Sequence, residues 1–267
     1  MNNHIPIVSI ITATYNSMRF FKETEKSVFE ADLQDFEWII VDDNSTDGTR
    51  EYLSALSDKR VHLFLKDRNS GIGDSYEIGV KIARGKYILI LDHDDTIPKG
   101  SLSARILALE KAPQSKVAFG TVAYMDEQSS VYHVSSFPFL AGSGLVSSAK
   151  ILTGIFIAAT YPLKQGCVVL RGDFVRRAPK IYDIALFLHA VRSGPVVFVD
   201  QPCLNYRTFR NQFSSSRKMR LIKFFHFYWA KYAFQHLPWY ISPWVAVYRT
   251  LLEMAKVLWC FVSSRRT

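Results

Sequence analysis

Residues 38–56 read WIIVDDNSTDGTREYLSAL, and this stretch decides the fold. From Glu37 to Val41 the chain is apolar and rich in β-branched residues, then turns polar at once, as a strand buried on both faces does where it leaves a parallel sheet. Thr46 or Asp47 then offers a side-chain oxygen to the first turn of a helix that carries Tyr52, Leu53 and Leu56. The unit is therefore a strand, a polar loop and a helix.

Working outward, the same unit recurs on both sides. Ile7 to Ala13 is a second β-branched run, followed by Phe20, Phe21, Thr24, Val28 and Ala31 at helical spacing, with Asn16 or Ser17 as the cap. Downstream, Val61 to Leu65 reads as a strand, Ser75 to Ala83 as a helix and Tyr87 to Leu91 as a strand. This alternation predicts an α/β fold, a mostly parallel sheet with helices on both faces, in which ligands bind beyond the carboxyl ends of the strands. After Leu109 the pattern is less regular. Val117 to Met125 and Val131 to Val134 suggest a hairpin, Ile184 to Val191 a helix and Val196 to Val199 a short strand. Gly71-Ile72-Gly73 resembles part of a dinucleotide loop, but Tyr76 holds the third glycine position and no strand directly precedes it, which argues against an NAD enzyme.

Charge and cysteine content narrow the classes further. The 267 residues are 48% hydrophobic and 21% charged, a globular balance. The first sixteen residues lack Lys and Arg, so a cleaved secretory signal is not expected. Cys167, Cys203 and Cys260 are odd in number and widely spaced, fitting reduced thiols better than disulfides or zinc. The net charge of +9 is concentrated after Ser215, where nine Lys and Arg face only Glu253; the chain as a whole has 33 basic residues against 24 acidic, so the remainder is close to neutral. Four of the five tryptophans, Trp229, Trp239, Trp244 and Trp259, lie in that same tail.

Two acidic clusters end two of the expected strands: Asp42-Asp43 and Asp92-His93-Asp94-Asp95. Crowded carboxylates are costly at one sheet edge unless a cation or a donor-rich ligand uses them. A hard divalent cation that also holds a diphosphate needs few protein oxygens, because phosphate and water complete its shell, and Asp92-x-Asp94 supplies such a sparse set.

Four stretches in order, VSIITATYN (8–16), WIIVDDNSTDGT (38–49), GKYILILDHDD (85–95) and YDIALFLHAVRSG (182–194), resemble the motifs of family 2 glycosyltransferases. The similarity extends from about Val8 to Arg207. It implies a GT-A, Rossmann-like domain over 1–214, with nucleotide binding in about 1–110 and the acceptor part in about 111–214. It implies a nucleotide-sugar donor and an inverting transfer. By the same resemblance Thr12, Ala13 and Tyr15 line the nucleoside pocket, and Asp43 accepts a hydrogen bond from the base, typically uracil. Asp92 meets the ribose and diphosphate, and Asp94 binds Mn²⁺ or Mg²⁺; His93 takes the variable middle position and has no ligand role. Asp183 becomes the general base, with Tyr182 where Glu is usual and His189 where Arg is common. Arg207 is a candidate phosphate contact, since guanidinium suits bidentate anion binding.

Polymerizing relatives carry Gln-x-x-Arg-Trp, whereas Gln235-His236-Leu237-Pro238-Trp239 lacks the cation, so transfer of one sugar is expected. The expected acceptor is a glycan or lipid-linked hydroxyl in bacterial surface-polysaccharide assembly, with the enzyme cytoplasmic and peripheral on the inner membrane face. The tail, 215–267, reads as a helical membrane-associating segment with no nucleic-acid role. Arg249, Glu253 and Lys256 interrupt Ile241 to Val262 and share one helical side, which favours lying in the membrane plane over crossing it. The alternative is a basic membrane- or nucleic-acid-binding protein that uses the sheet as a scaffold.

Overall fold

β1 (Val8–Thr14) and β2 (Phe36–Asp42) are buried at every position and pair in parallel, Val8 opposite Phe36 and Thr14 opposite Asp42. Their continuous apolar character follows from having covered faces and a neighbour on each side. β3 (Val61–Leu65) lies at the sheet edge and alternates half-buried with exposed residues, and β4 (Tyr87–Ile90) is fully buried on the other side of β1. The structure, a computed structural model, describes residues 4–137, 140, 142–148, 150–151, 164–178, 183–210 and 212. The elements that position the site belong to one compact unit, Met1–Ile151 with Pro162–Arg207.

Three helices connect this parallel quartet: α1 (Met18–Phe29), α2 (Thr49–Ser54) and α3 (Ile72–Ile82). α1 buries Phe20, Phe21, Thr24 and Val28, the face expected from the sequence, and Phe21 stacks on Trp38 of β2 at 5.6 Å between centroids. Its first residue follows Ser17, whose hydroxyl does not cap it but accepts the Tyr15 N–H; the Met18 N–H is met instead by Asp47 Oδ2 at 3.2 Å. α2 begins after Gly48, at φ 92°, and of the two expected caps Asp47 supplies the side-chain oxygen, its Oδ1 accepting the Thr49 N–H at 3.1 Å. α3 starts at Ile72, three residues before the expected Ser75. Gly79 lets it approach β1 so closely that an added Cβ would sit 2.4 Å from Ile11 Cγ2.

Nine described strands form one sheet in the order β3-β2-β1-β4-β8-β5-β9-β7, with β6 paired to β5. β5 (Val117–Met125) and β6 (Val131–Val134) make the expected antiparallel hairpin. β7 (Gly144–Val146) and β8 (Val168–Arg171) were not foreseen, nor was the helix α4 (Ser101–Glu110). The parallel expectation holds from β3 to β4. Beyond it the sheet is mixed, because β8 runs antiparallel to both β4 and β5, whereas β9 (Val196–Arg207) is parallel to β5 and β7 antiparallel to β9. β9 continues eight residues past the expected Val199, with register shifts opposite Gly120–Val122 that accommodate Pro202, which has no N–H to donate. Among the described residues no helix is long and apolar enough to cross a membrane; the tail 215–267 lies outside them.

Candidate active site

The chain moves from β1 to β2 to β3 in one direction, then returns to place β4 on the other flank of β1. This reversal opens a crevice beyond the carboxyl ends of β1 and β4, the position where open α/β sheets bind ligands. Asp42 and Asp43 stand at the end of β2, and Asp92, Asp94 and Asp95 just past β4, so the two acidic clusters flank β1.

The β2 end is internally compensated. Asp42 Oδ1 accepts the hydroxyls of Thr14 at 2.9 Å and Ser45 at 2.5 Å, and its Oδ2 accepts the Ser45 N–H at 3.0 Å. Asp43, 3% exposed, receives the backbone N–H groups of Ser70 and Gly71, each at 2.8 Å, and lies 2.5 Å from the Lys66 ammonium. Gly71 precedes α3, so the carboxylate also meets the positive end of that helix. Lys66 is itself buried and bridges to Asp74 at 3.0 Å and Ser75 at 3.2 Å.

The β4 end is held by its backbone more than by its carboxylates. The Thr24 hydroxyl, from α1, lies 2.8 Å from the carbonyl oxygens of both His93 and Asp95, and the Ile97 N–H donates to Ser27 Oγ. On the other side Thr96 and Asn205 exchange two backbone hydrogen bonds, 3.1 and 3.0 Å. Arg207 N–H donates to Asp95 Oδ1 and Arg207 Nε to the Asp94 carbonyl, both at 2.9 Å. Tyr76 donates its hydroxyl to Asp92 Oδ1. Asp95 is 1% exposed, and its Oδ2 is the buried side-chain oxygen or nitrogen that lacks a hydrogen-bond partner among the described residues. Burial, and then the charge of Asp94, raise the Asp92 pKa above the ordinary carboxylate range; burial with Asp94 and Asp92 raises Asp95 well above it.

Two expected ligand contacts take different places. Thr12 is fully buried and accepts the Trp38 indole N–H at 3.0 Å, so it supports the crevice wall from within the core; Ala13 is also buried, and Tyr15, 49% exposed, remains open to a ligand. Arg207, expected at phosphate, is fully buried with its guanidinium turned inward. Its Nη1 donates to the carbonyls of Asp126 and Glu127 and to Ser129 Oγ, its Nη2 to Glu23 at 2.8 Å, and the group lies 4.5 Å from the Phe20 ring centroid. Asp183 opens the helix Asp183–Arg192, which extends the expected Ile184 to Val191 by one residue at each end; Tyr182 lies outside the described residues. The sequence reading gave no site role to Lys66, which directly follows β3, or to Glu23 and Tyr76, which lie on α1 and α3.

Asp92 and Asp94 are oxygen ligands of the type a hard divalent cation takes, although among the described residues no three His, Cys, Asp or Glu side chains, this row included, converge as a metal-holding group. A pair this sparse fits a cation that draws its other ligands from a bound diphosphate. The Asp95 oxygen beside it is a buried polar atom that the described residues leave without a hydrogen-bond partner.

Residues 9–164 match the sequence model of the family described as glycosyl transferase family 2. The chain belongs to that family. This glycosyltransferase is 27% identical over 277 residues to a putative teichuronic acid biosynthesis glycosyltransferase, TuaG, of Bacillus subtilis, across 98% of this chain and 96% of that protein. It is 37% identical over 93 residues to the succinoglycan biosynthesis protein ExoO of Rhizobium meliloti, covering 35% of this chain and 27% of that one. The fold matches S. aureus TarS 1–349 crystallized with UDP-GlcNAc, with a TM-score of 0.70 and 19% identity, over 92% of this chain and 72% of that one. The glycosyltransferase sheet is thus GT-A, and the reading of it as an inert scaffold for a basic tail is set aside.

Proposed function

We propose that this glycosyltransferase moves one sugar from a nucleoside diphosphate sugar, a UDP-sugar, to a hydroxyl of a glycan or lipid-linked acceptor in bacterial surface-polysaccharide assembly, with inversion at the anomeric carbon. The observation that carries the reading is the pair of acidic clusters at the ends of β2 and β4, flanking the crevice made by β1 and β4. The names of TuaG and ExoO support the pathway class, and the TarS complex supports the donor class.

The residues divide the work. Asp43, already oriented by Ser70, Gly71 and Lys66, keeps lone pairs for a base N–H, while Ala13 and Tyr15 border the nucleoside. Asp92, braced by Tyr76, faces the ribose and diphosphate. Asp94 holds Mn²⁺ or Mg²⁺, which when bound offsets charge on the leaving diphosphate. Asp183 takes the acceptor hydroxyl proton as that oxygen attacks. Arg207 acts through the loop it holds. Residues 1–214 form the catalytic part, about 1–110 for donor and 111–214 for acceptor, and 215–267 attaches the enzyme to the inner face of the membrane, peripheral and cytoplasmic.

A donor screen tests this function: release of nucleoside diphosphate from UDP-, GDP- and dTDP-sugars with Mn²⁺ present should be confined to UDP-sugars. Release from none of them would overturn it. Co-sedimentation with anionic liposomes, lost on deletion after Ser216, tests the tail.

A further inference from the structure

β8 lies antiparallel beside β4, with Val169 opposite Leu89 and Leu170 opposite Ile88. The chain entering β8 therefore passes the carboxyl end of β4, where the donor carboxylates begin. Lys164 is on that approach, and its carbonyl accepts the Cys167 N–H at 3.0 Å, fixing the short 3₁₀ turn Gln165–Cys167 that leads into the strand. Its ammonium lies 4.1 Å from the centroid of the Tyr206 ring. Tyr206 is held in turn by an edge contact with Tyr124 at 5.7 Å, and it stands between Asn205, bonded to Thr96, and Arg207, bonded to Asp94 and Asp95. Thus the same strand end that fixes the acidic loop also carries the platform for a lysine.

We propose that Lys164 contacts the diphosphate of the bound donor. An aromatic face attracts an ammonium without removing its charge, so Tyr206 fixes a cation that stays competent toward an anion. Arg207 does not fill this role, because its buried guanidinium is engaged by backbone carbonyls, Ser129 and the half-exposed Glu23. The inference rests on the nucleotide-sugar reading above. In that reaction the acceptor oxygen bonds to the anomeric carbon as the bond from that carbon to the diphosphate oxygen breaks. The electron pair stays on the diphosphate, and the hydroxyl proton passes to Asp183. Charge therefore grows on the diphosphate in the transition state, where a fixed ammonium stabilises it.

The test is calorimetric binding of UDP, GDP and dTDP, each against its own monophosphate, with Mn²⁺, to the full chain and to its Lys164→Ala and Lys164→Arg variants. For the diphosphate that the unsubstituted enzyme binds best, Lys164→Ala should weaken affinity by about ten- to a hundred-fold, the range for a charged hydrogen bond, and leave the monophosphate within about two-fold. Lys164→Arg should recover most of the loss. Equal weakening of diphosphate and monophosphate, or no weakening of either, would overturn the assignment. Failure of the unsubstituted enzyme to bind any of the three diphosphates would instead overturn the donor reading on which it rests.

Discussion

The ends of β2 and β4 present the same residue type at the same edge of the sheet and solve the problem of crowded carboxylates in opposite ways. At β2, Asp42 and Asp43 are met by hydroxyls, backbone N–H groups and the Lys66 ammonium. At β4, the supporting bonds go largely to backbone oxygens, Asp95 keeps an unpartnered buried oxygen, and Asp92 and Asp95 hold their protons more tightly than ordinary carboxylates. The difference separates recognition from charge handling. A compensated carboxylate is a fixed acceptor suited to reading a base, whereas an uncompensated row is stabilised only when positive charge arrives.

Removing Asp94 should break the comparison most completely. Asp94→Ala is expected to abolish Mn²⁺-dependent donor binding, because a cation with few protein oxygens loses most of its affinity with one of them; calorimetry that finds undiminished affinity would refute its role. Asp183→Asn should leave both strand ends and donor binding intact, yet lower the transfer rate by about 10²- to 10⁴-fold, the contribution of a general base. Near-normal turnover would assign the proton to another group.

On the compensated side the effects should be smaller and of another kind. Lys66→Met removes the cation 2.5 Å from buried Asp43 and should lower stability by about 1–3 kcal/mol, weakening donor binding while leaving its Mn²⁺ dependence as it was. Denaturant unfolding with a metal titration checks both parts; a shifted metal dependence would erase the distinction between the two ends. Glu37, at the opposite end of β2, supplies the mildest control. Burial pushes its pKa up, but hydrogen bonds from Ser9 and Arg84 outweigh this and hold it below the usual value. Its stabilising effect is therefore present above the unfolded-state pKa of about 4.3 and lost as pH falls through the lower folded value. Glu37→Gln should lower the melting temperature by a few degrees at pH 7, and the difference should shrink as pH falls below the unfolded-state value of about 4.3. A pH-independent difference would show that the carboxylate charge is not the cause.

The same contrast explains what could be read from the sequence. β1, β2 and β4 are buried apolar runs, β2 and β4 ending in acids, and β3 alternates as an edge strand does; each was placed to within a residue or two. α4 was missed although Leu102, Ile106 and Leu109 are buried at helical spacing, because Arg105 shares that buried face and bonds the Gly166 carbonyl there, a satisfaction visible only in three dimensions. β8 is four residues long and draws its identity from neighbours distant in sequence. The acidic motifs announced themselves, whereas Lys66, Tyr76 and Glu23 act through contacts that no spacing rule encodes, and Arg207 was noticed for its charge but not for its bonds to the β4 loop.

Arg207 also dictates when the enzyme becomes complete. The loop that carries Asp94 and Asp95 is bonded to Arg207 across 112 and 113 residues of sequence. Loops of that length close late, and a chain emerging from the ribosome amino end first has both acidic clusters long before the residue that secures one of them. A nascent chain stalled anywhere between β4 and Arg207 would carry every donor carboxylate named here and still lack the clasp on the β4 loop. Synthesis itself thus delays the securing of the β4 loop until the unit that ends at Arg207 is finished.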